Sequence, residues 1–209
     1  MTIELHTWNT PNGRKISVAL EEMGLPYKVI PVNITKGEQM APGFLKLSPN
    51  NKIPAIVDSE GPDGKPFSLF ESAAICNWLA DSHPQAGLIA PSGTWARALH
   101  DQWTAFTLAE VEANLGHTAR NQFIYTENER IPAVYEQNAR EAKRGLAVLH
   151  DALKGKSWLV EDRFSVTDIF VGYAVVWAHV QGMTADLSNV AAYAERILAR
   201  PLCPYGALG

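Results

Sequence analysis

The first 32 residues alternate between apolar strands and one amphipathic helix, and this order restricts the fold more than any other feature of the chain. Residues 3–7 alternate weakly between apolar and polar side chains and end at a loop signal, residues 9–13. Apolar residues recur at helical spacing over residues 16–23, and Gly24 supplies a C-terminal stop. A second strand is predicted over residues 27–32. Because a strand–helix–strand unit makes parallel strands with a right-handed crossover, the chain is predicted to open on an α/β domain.

The rest of the chain changes from mixed structure to helix alone. A short helix, a hairpin of two strands and a further helix are predicted at residues 44–47, 55–58 with 66–70, and 71–83. Beyond them, apolar residues at spacings of three and four predict only helices, at residues 95–116, 132–153, 166–177 and 190–199. The predicted fold class is therefore an α/β domain with the order β-α-β-α-β-β-α, followed by an all-α helical bundle.

Composition excludes several classes of function. The chain has 209 residues, 46% of them apolar, which is enough for a packed core. Residues 1–83 carry 7 Lys and Arg against 9 Asp and Glu, and residues 84–209 carry 11 against 13, so each part has a net charge of −2. Without a basic half, nucleic-acid binding is not expected. No apolar run approaches the ~18–20 residues of a membrane span, so no membrane partner is expected.

The N-terminus and the cysteines indicate a reducing compartment. Residues 1–5 lack the basic region that a secretory signal needs. The two cysteines, Cys76 and Cys203, are isolated in the sequence and indicate neither a disulfide framework nor a zinc site. We therefore expect a cytoplasmic protein, and the histidines show no spacing typical of a metal site, so no metal is expected.

The segment Leu69-Phe70-Glu71-Ser72-Ala73-Ala74-Ile75 is the most informative for function. It is predicted to be the end of a strand that runs directly into a helix opening on Glu71 and Ser72. A helix start offers unpaired N–H groups to a carboxylate, Ser72 adds a hydroxyl donor, and Glu71 adds a negative charge for an ammonium group. The pair therefore suits the free end of an amino acid. The alternative is an ordinary helix cap.

Three segments carry a resemblance to a known family: Thr10-Pro11-Asn12-Gly13, the stretch from Ser48 to Asp58, and Phe70-Glu71-Ser72. With the order of the two domains, they make the chain resemble the cytosolic glutathione transferases. The likeness is greatest to the bacterial Nu class, which is similar to the fungal Ure2-like enzymes and contains glutathione-dependent disulfide reductases. The resemblance implies a thioredoxin-like glutathione-binding domain over residues 1–83, a linker over 84–93, an all-helical domain over 94–209, and a homodimer.

The resemblance also assigns residues to the binding of glutathione. Glu71 and Ser72 match the positions that hold the γ-glutamyl end. Ile53 precedes Pro54, the matching bond in the family is cis, and the backbone of Ile53 would pair with the cysteinyl part of glutathione as an added strand does. Gln39 and Lys52 match positions near the glycyl end. The alternative for Gln39 and Lys52 is an ordinary solvated loop.

The catalytic assignment depends on the first loop, residues 8–13. A thiol such as that of glutathione titrates near ~8.5, so a site must favour its anion. The loop contains no Cys, Tyr or Ser, which leaves the Thr10 hydroxyl and the Asn12 amide as donors at the start of the first helix. In the similar enzymes the matching Thr and Asn lie beside the glutathione sulfur. The alternative is that Thr10 and Asn12 form only a turn and a helix cap.

Without a protein thiol, disulfide reduction would require two glutathione molecules, one to attack the substrate and one to resolve the mixed disulfide. In the similar enzymes an arginine after an Ile-Pro pair contributes to the second site. Here the pair is Ile131-Pro132, and the matching residue is Gln137. Arg130 or Arg140 could substitute. This departure keeps conjugation of glutathione to a small electrophile open as the reaction.

Other residues are predicted to serve the fold. Cys76 is expected to be buried filler, and Asp168, in the capping-box pattern Ser165-Val166-Thr167-Asp168, is expected to serve folding. Five aromatic residues are expected to lie mostly in the core: Trp8, Trp103, Phe106, Phe123 and Trp177. Trp8, Trp103 and Phe106 could also line an apolar substrate pocket. A second hypothesis for the whole chain is a non-catalytic glutathione-binding regulatory or interaction protein on the same scaffold.

Overall fold

The computed structural model describes residues 3–61 and 64–200. These residues form two units. One unit comprises the described residues up to Pro91 together with Arg200, and the other comprises Ser92–Ala199. The division falls inside the segment predicted as a linker, residues 84–93. The exact bounds of the two predicted domains stay a prediction. The last nine residues of the predicted helical domain, 201–209, lie outside the described residues.

The first unit alternates strands and helices in the order predicted from the sequence. Its longer elements are β1 (Ile3–Thr7), α1 (Pro11–Glu22), β2 (Tyr27–Pro31), α2 (Pro42–Leu45), β3 (Ala55–Asp58), β4 (Phe67–Phe70) and α3 (Ser72–Ser82). Short 3-10 turns at Ile34–Lys36 and Glu38–Met40 lie between β2 and α2. The helix α1 begins at Pro11 because proline fits the first helical position, where its missing N–H has no intrahelical partner.

The four strands form one mixed sheet in the order β2-β1-β3-β4. The strand β1 pairs parallel with β2 and antiparallel with β3, and β3 pairs antiparallel with β4. Ile3 and Leu5 of β1 and Ile56 of β3 are fully buried. The strand β1 alternates buried and partly buried residues, as a strand does when one face packs on a core.

The helices α1 and α3 pack against each other. Buried apolar side chains on α1 include Ile16 and Leu20, and those on α3 include Ile75 and Leu79. Burial of side chains of this size contributes roughly 1.5–3 kcal/mol each, so the helix pair is a substantial part of this unit's core.

The second unit, over residues 92–199, contains helices and no strand. Its α-helices are α4 (Trp95–Phe106), α5 (Ala113–Ala119), α6 (Pro132–Ala152), α7 (Val166–Val180) and α8 (Ser188–Leu198). The widened π-helical turns Thr107–Glu112 and Arg120–Ile124 follow α4 and α5. The helix predicted over residues 95–116 therefore continues to residue 124. Within the described ranges, no helix is long and apolar enough to cross a membrane.

The helix α7 is the centre of the second unit because nearly all of its residues are buried. It contacts α4, α8 and the turn Thr107–Glu112. Its start is the capping box that the sequence predicts, in which Ser165 caps the helix and the Asp168 carboxylate accepts from the Ser165 N–H at 3.0 Å. The predicted fold class, an α/β domain followed by an all-helical one, is confirmed.

Candidate functional site

The register of the sheet brings the predicted site segments of the first unit to one edge. His6 lies opposite Ala55, and Ala55 lies opposite Phe70. Because β1 runs antiparallel to β3, and β3 to β4, the residues beyond this row are Thr7 at the end of β1, Pro54 before β3 and Glu71 after β4. The start of α1, the Ile53–Pro54 bond and the start of α3 therefore share this edge.

The start of α1 is held tightly against the end of β1. The Thr10 hydroxyl caps the helix by accepting a hydrogen bond from the Gly13 N–H at 3.1 Å. A Cβ atom at Gly13 would lie 2.3 Å from Thr7 Oγ1 and 2.5 Å from the Trp8 carbonyl oxygen, so only glycine fits there. Thr10 is thus a helix cap, as one of its two predicted roles requires, and its hydroxyl proton stays available to another acceptor.

Asn12 lies in the first turn of α1 and is partly buried. Its Oδ1 is buried and has no hydrogen-bond partner among the described residues. A buried amide oxygen without a donor is costly, on the order of 1–3 kcal/mol, and such a group indicates a place that a ligand or water completes. A simple cap role would not leave this oxygen unsatisfied.

The Ile53–Pro54 bond is cis, as the resemblance implied. The side chain of Ile53 packs against the buried cluster of Val32, Phe44 and Ala55. Neither backbone group of Ile53 has a hydrogen-bond partner in the described part of the chain. The fold therefore turns the side chain of Ile53 inward and leaves its N–H and C=O open for hydrogen bonding.

The start of α3 combines backbone strain with unpartnered side chains. Glu71 has φ +73° and ψ 115°, a conformation that costs a non-glycine residue on the order of 1–3 kcal/mol. Neither the carboxylate of the exposed residue Glu71 nor the hydroxyl of the mostly buried residue Ser72 has a partner among the described residues. An ordinary cap would bond the first-turn N–H groups, and Glu71 makes no such bond. The pair is available to an external group.

Gln39 and Lys52 differ in their surroundings. The Val32 N–H donates to the Thr7 carbonyl at 2.8 Å, so the chain that leads to Gln39 leaves β2 at the same edge. Gln39 is partly buried, and its Oε1 is buried without a partner in the described ranges. Lys52 has an exposed side chain, and its carbonyl accepts from the Ser48 hydroxyl at 2.8 Å. Gln39 thus has a buried polar atom left unsatisfied by the described residues, whereas Lys52 is a surface side chain.

Two buried groups lie outside this set. Burial raises the pKa of the Cys76 thiol to about 12, although the Lys15 ammonium acts in the opposite direction. Cys76 is therefore a neutral buried side chain, as expected. Lys15 is fully buried on α1, although a lysine on a helix is usually exposed. Its spacing from the buried residues Val18 and Ala19, three and four positions further along the helix, could have indicated an inward position.

In the second unit, Trp103 and Phe106 are partly buried on α4, with ring centroids 5.7 Å apart and nearly perpendicular planes. Trp8, which belongs to the first unit, and Trp177 are also partly buried. Phe123 is 68% exposed, so its predicted core position is wrong. It lies in the widened turn after α5, where the helical spacing assumed from the sequence no longer holds.

Asp168 is a structural residue. Its carboxylate is fully buried and accepts hydrogen bonds from the Leu159 N–H, the Ser165 N–H and hydroxyl, and the Tyr193 hydroxyl. Burial raises the pKa of Asp168 to about 6, against the lowering effect of these bonds. No group of His, Cys, Asp and Glu among the described residues could hold a metal ion.

Comparison with known proteins identifies the family. The model of the glutathione S-transferase N-terminal domain matches residues 10–82, and the model of the C-terminal domain matches residues 132–196. The chain is a member of the glutathione S-transferase family. The recognition made from the first loop, the Ile53–Pro54 segment and Glu71-Ser72 is confirmed at this level.

Individual relatives agree with the assignment. The disulfide-bond oxidoreductase YfcG of Escherichia coli K12 is 37% identical over 206 residues, covering 95% of this chain and 91% of that protein. A Burkholderia graminis glutathione transferase with two glutathione molecules per subunit has a TM-score of 0.88 at 34% identity, covering 98% of this chain and 87% of that one. The URE2P8 transferase of Phanerochaete chrysosporium with oxidized glutathione has a TM-score of 0.86 at 26% identity, covering 98% and 94%.

Proposed function

We propose that this transferase binds glutathione at the sheet edge described above and uses it to reduce disulfides. The observation that carries the proposal is the start of α3, where Glu71 is held in a strained conformation and neither side chain, of Glu71 or of Ser72, has a partner within residues 3–61 and 64–200. The γ-glutamyl carboxylate would accept from the Ser72 hydroxyl and the first N–H groups of α3. The Glu71 carboxylate would face the ammonium group.

The rest of glutathione would follow the same edge. The N–H and C=O of Ile53 would pair with the cysteinyl backbone, because no described residue pairs with these groups and Ile53 lies just before β3. Gln39, with its buried unpartnered Oε1, would meet the glycyl end, and Lys52 would add a positive charge from the surface. Each proposed contact either gives a hydrogen-bond partner to a polar group that has none among the described residues, or places opposite charges near each other.

The sulfur would then lie at the start of α1. The Thr10 hydroxyl accepts from Gly13, which directs its own proton outward to a sulfur anion. The Asn12 amide and the positive end of the α1 dipole would add to this stabilisation. These groups would lower the pKa of the bound thiol from its usual value near ~8.5 and raise the thiolate fraction.

In the proposed reaction, the bound thiolate attacks one sulfur of a disulfide substrate. A sulfur–sulfur bond forms to glutathione, and the other substrate sulfur leaves as a thiolate that takes up a proton. A second glutathione thiolate then attacks the glutathione sulfur of the mixed disulfide. Oxidised glutathione forms, and the second substrate thiol is released. The protein would contribute orientation and anion stabilisation, and no protein thiol takes part.

The site for the second glutathione is less defined by side chains. Gln137 is exposed on α6 and carries no charge to attract a carboxylate. Arg130 donates to the Tyr125 carbonyl at 3.1 Å, whereas Arg140 pairs with Glu136 at 4.0 Å and is exposed. Arg140 is therefore the better substitute. Conjugation to a small electrophile needs one glutathione and is the second candidate reaction, favoured by the neutral Gln137.

The assembly and location are proposed on the family likeness alone. We propose a homodimer in the cytoplasm, with glutathione and a disulfide or small electrophile as the ligands. Trp8 of the first unit, and Trp103 and Phe106 of the second, are each proposed to offer apolar surface to the second substrate.

Binding of glutathione to Ser72→Ala, measured by calorimetry, tests the proposed site. Loss of a hydrogen bond to a charged group costs about 1.5–3 kcal/mol, so we expect binding at least about tenfold weaker. Ser68→Ala, on the exposed part of β4, is the matched control and should bind as the wild type does. Equal affinities of all three proteins would contradict the placement of the γ-glutamyl end.

A further inference from the structure

Asn12 and Gly13 form the one Asn-Gly pair of the sequence. An asparagine followed by glycine is chemically unstable in peptides, because the next backbone nitrogen reaches the side-chain carbonyl carbon without hindrance from a Cβ atom. The pair therefore carries a reaction of its own, independent of any ligand.

The packing of the first unit requires glycine at position 13, directly after Asn12. A Cβ at Gly13 would collide with Thr7 Oγ1 and with the Trp8 carbonyl oxygen, and the latter belongs to the backbone. Residue 13 is therefore restricted to glycine by the close approach of α1 to β1. The fold itself thus retains a reactive neighbour beside Asn12.

The folded protein also restrains the reaction. Ring closure requires the Gly13 nitrogen to lose its proton and to approach Cγ of Asn12. In the structure this N–H donates to the Thr10 hydroxyl, and Asn12 lies within α1, whose backbone conformation holds the two atoms apart. The reaction therefore proceeds only when the first turn of α1 opens, as helix ends do locally.

We propose that Asn12 is a site of spontaneous deamidation and that the Thr10 cap suppresses this reaction in the folded protein. The Gly13 nitrogen attacks Cγ of Asn12, a nitrogen–carbon bond forms, and the Cγ–Nδ2 bond breaks with release of ammonia. Water then opens the five-membered imide at either carbonyl carbon. The products are aspartate or isoaspartate at position 12.

The product adds a negative charge at the start of α1. If the sulfur of glutathione lies there, as the proposed function holds, a carboxylate beside it repels the thiolate and raises the pKa of the thiol. Deamidation would then lower disulfide reduction. This consequence rests on the proposed function, whereas the modification itself does not.

The modification is tested by mass spectrometry of the peptide that contains Asn12, after incubation of the full chain in mildly alkaline buffer. Each event adds about 1 Da. We expect the wild type in concentrated guanidinium to react at least about tenfold faster than the folded wild type, because opening limits the folded reaction. The exposed Asn50 in the same samples serves as the internal reference.

The role of the cap is tested with Thr10→Val and Thr10→Ser. Valine removes the acceptor at similar volume and should raise the rate at Asn12 about fivefold, whereas serine keeps the acceptor and should react as the wild type does. Near-UV circular dichroism establishes that each variant is folded. Equal rates in folded and unfolded wild type would overturn the proposal, and equal rates in folded valine and serine variants would overturn the role of Thr10.

A separate assay measures the consequence. Asn12→Asp is compared with the wild type in glutathione-dependent disulfide reduction. We expect turnover at least about tenfold lower, from the loss of a donor and the added charge. Unchanged turnover would contradict the placement of the sulfur beside Asn12, while the mass measurement would still decide the modification.

Discussion

Gly13 stands so close to Thr7 that a methyl group on its Cα would lie 2.3 Å from the Thr7 hydroxyl oxygen. The start of α1 therefore packs tightly against the end of β1. Any change that separates them also moves Thr10 and Asn12, the two residues proposed to hold the glutathione sulfur.

Gly13→Ala should consequently destabilise the fold. The added methyl group also meets the Trp8 carbonyl at 2.5 Å, and overpacking of this kind costs about 1–3 kcal/mol. Gly116→Ala is the matched control, because Gly116 lies in α5 with no atom near its Cβ position, and alanine favours a helix by up to about 1 kcal/mol. The free energy of unfolding, measured by chemical denaturation, should thus fall in Gly13→Ala and rise in Gly116→Ala. An unchanged free energy of unfolding in Gly13→Ala would contradict the close packing.

Glu71→Gly should stabilise the protein and weaken its binding of glutathione. Glycine relieves the strain of φ +73° at a cost in chain entropy, for a net gain of about 1 kcal/mol, but it removes the carboxylate proposed to face the ammonium group. Glu161→Gly, at φ +53° in the second unit, should stabilise without a change in affinity. Denaturation and calorimetry check both quantities. Unchanged affinity in Glu71→Gly would argue against the proposed contact.

Asp168→Asn should change how stability depends on pH. Because burial raises the pKa of Asp168 to about 6 from 3.8, the folded state binds this proton more tightly than the unfolded state. The protonated carboxyl group therefore adds to the free energy of unfolding. This contribution is fully present below pH 3.8, and up to about 3 kcal/mol of it is lost as the pH rises through about 6. The stability of the wild type relative to Asp168→Asn should therefore fall between pH 4 and 7.

Asp162→Asn is the control of opposite sign. Hydrogen bonds from the backbone N–H groups of Trp158 and Ser157 lower the pKa of Asp162 below 3.8. The wild type should lose stability relative to Asp162→Asn as pH falls through this range, and Asp162→Asn should have the same slope as the wild type near neutral pH. Parallel pH profiles for Asp168→Asn and Asp162→Asn would contradict the assignment of the buried carboxylate.

Cys76 should not react with thiol reagents in the folded protein. It is buried and its thiol has a pKa raised to about 12, so the thiolate fraction at pH 8 is negligible. A Cys203→Ser background leaves Cys76 as the single thiol, and its labelling should require unfolding. Disulfide reduction should persist in Cys76→Ala, and loss of turnover in a folded Cys76→Ala variant would point to a protein thiol in the reaction.

Much of the fold could be predicted because local signals and tertiary structure agree. The order β-α-β, the hairpin and the helix start at Glu71 each rest on periodicity or turn residues, and the Ser165 capping box depends on two side chains close in sequence. The cis conformation of the bond before Pro54 was predicted from the family resemblance. These features need no knowledge of distant contacts.

The remaining features depend on tertiary packing and are not visible in local patterns. The burial of Lys15 follows from its contact with the α1–α3 interface near Cys76, although a lysine on a helix is usually exposed. The exposure of Phe123 follows from the π-helical turn Arg120–Ile124. The lack of a partner for Asn12 Oδ1 among the described residues depends on which groups the fold brings near it, and local patterns do not specify these.

The central claim is best tested by steady-state reduction of 2-hydroxyethyl disulfide by glutathione, coupled to NADPH and glutathione reductase. We expect turnover well above the uncatalysed rate, with kcat/KM at least about tenfold lower in Asn12→Ala and unchanged in Asn128→Ala, an exposed amide of the second unit. Turnover equal to background in the wild type would contradict disulfide reduction. With glutathione still bound, that result would favour conjugation or a non-catalytic glutathione-binding protein.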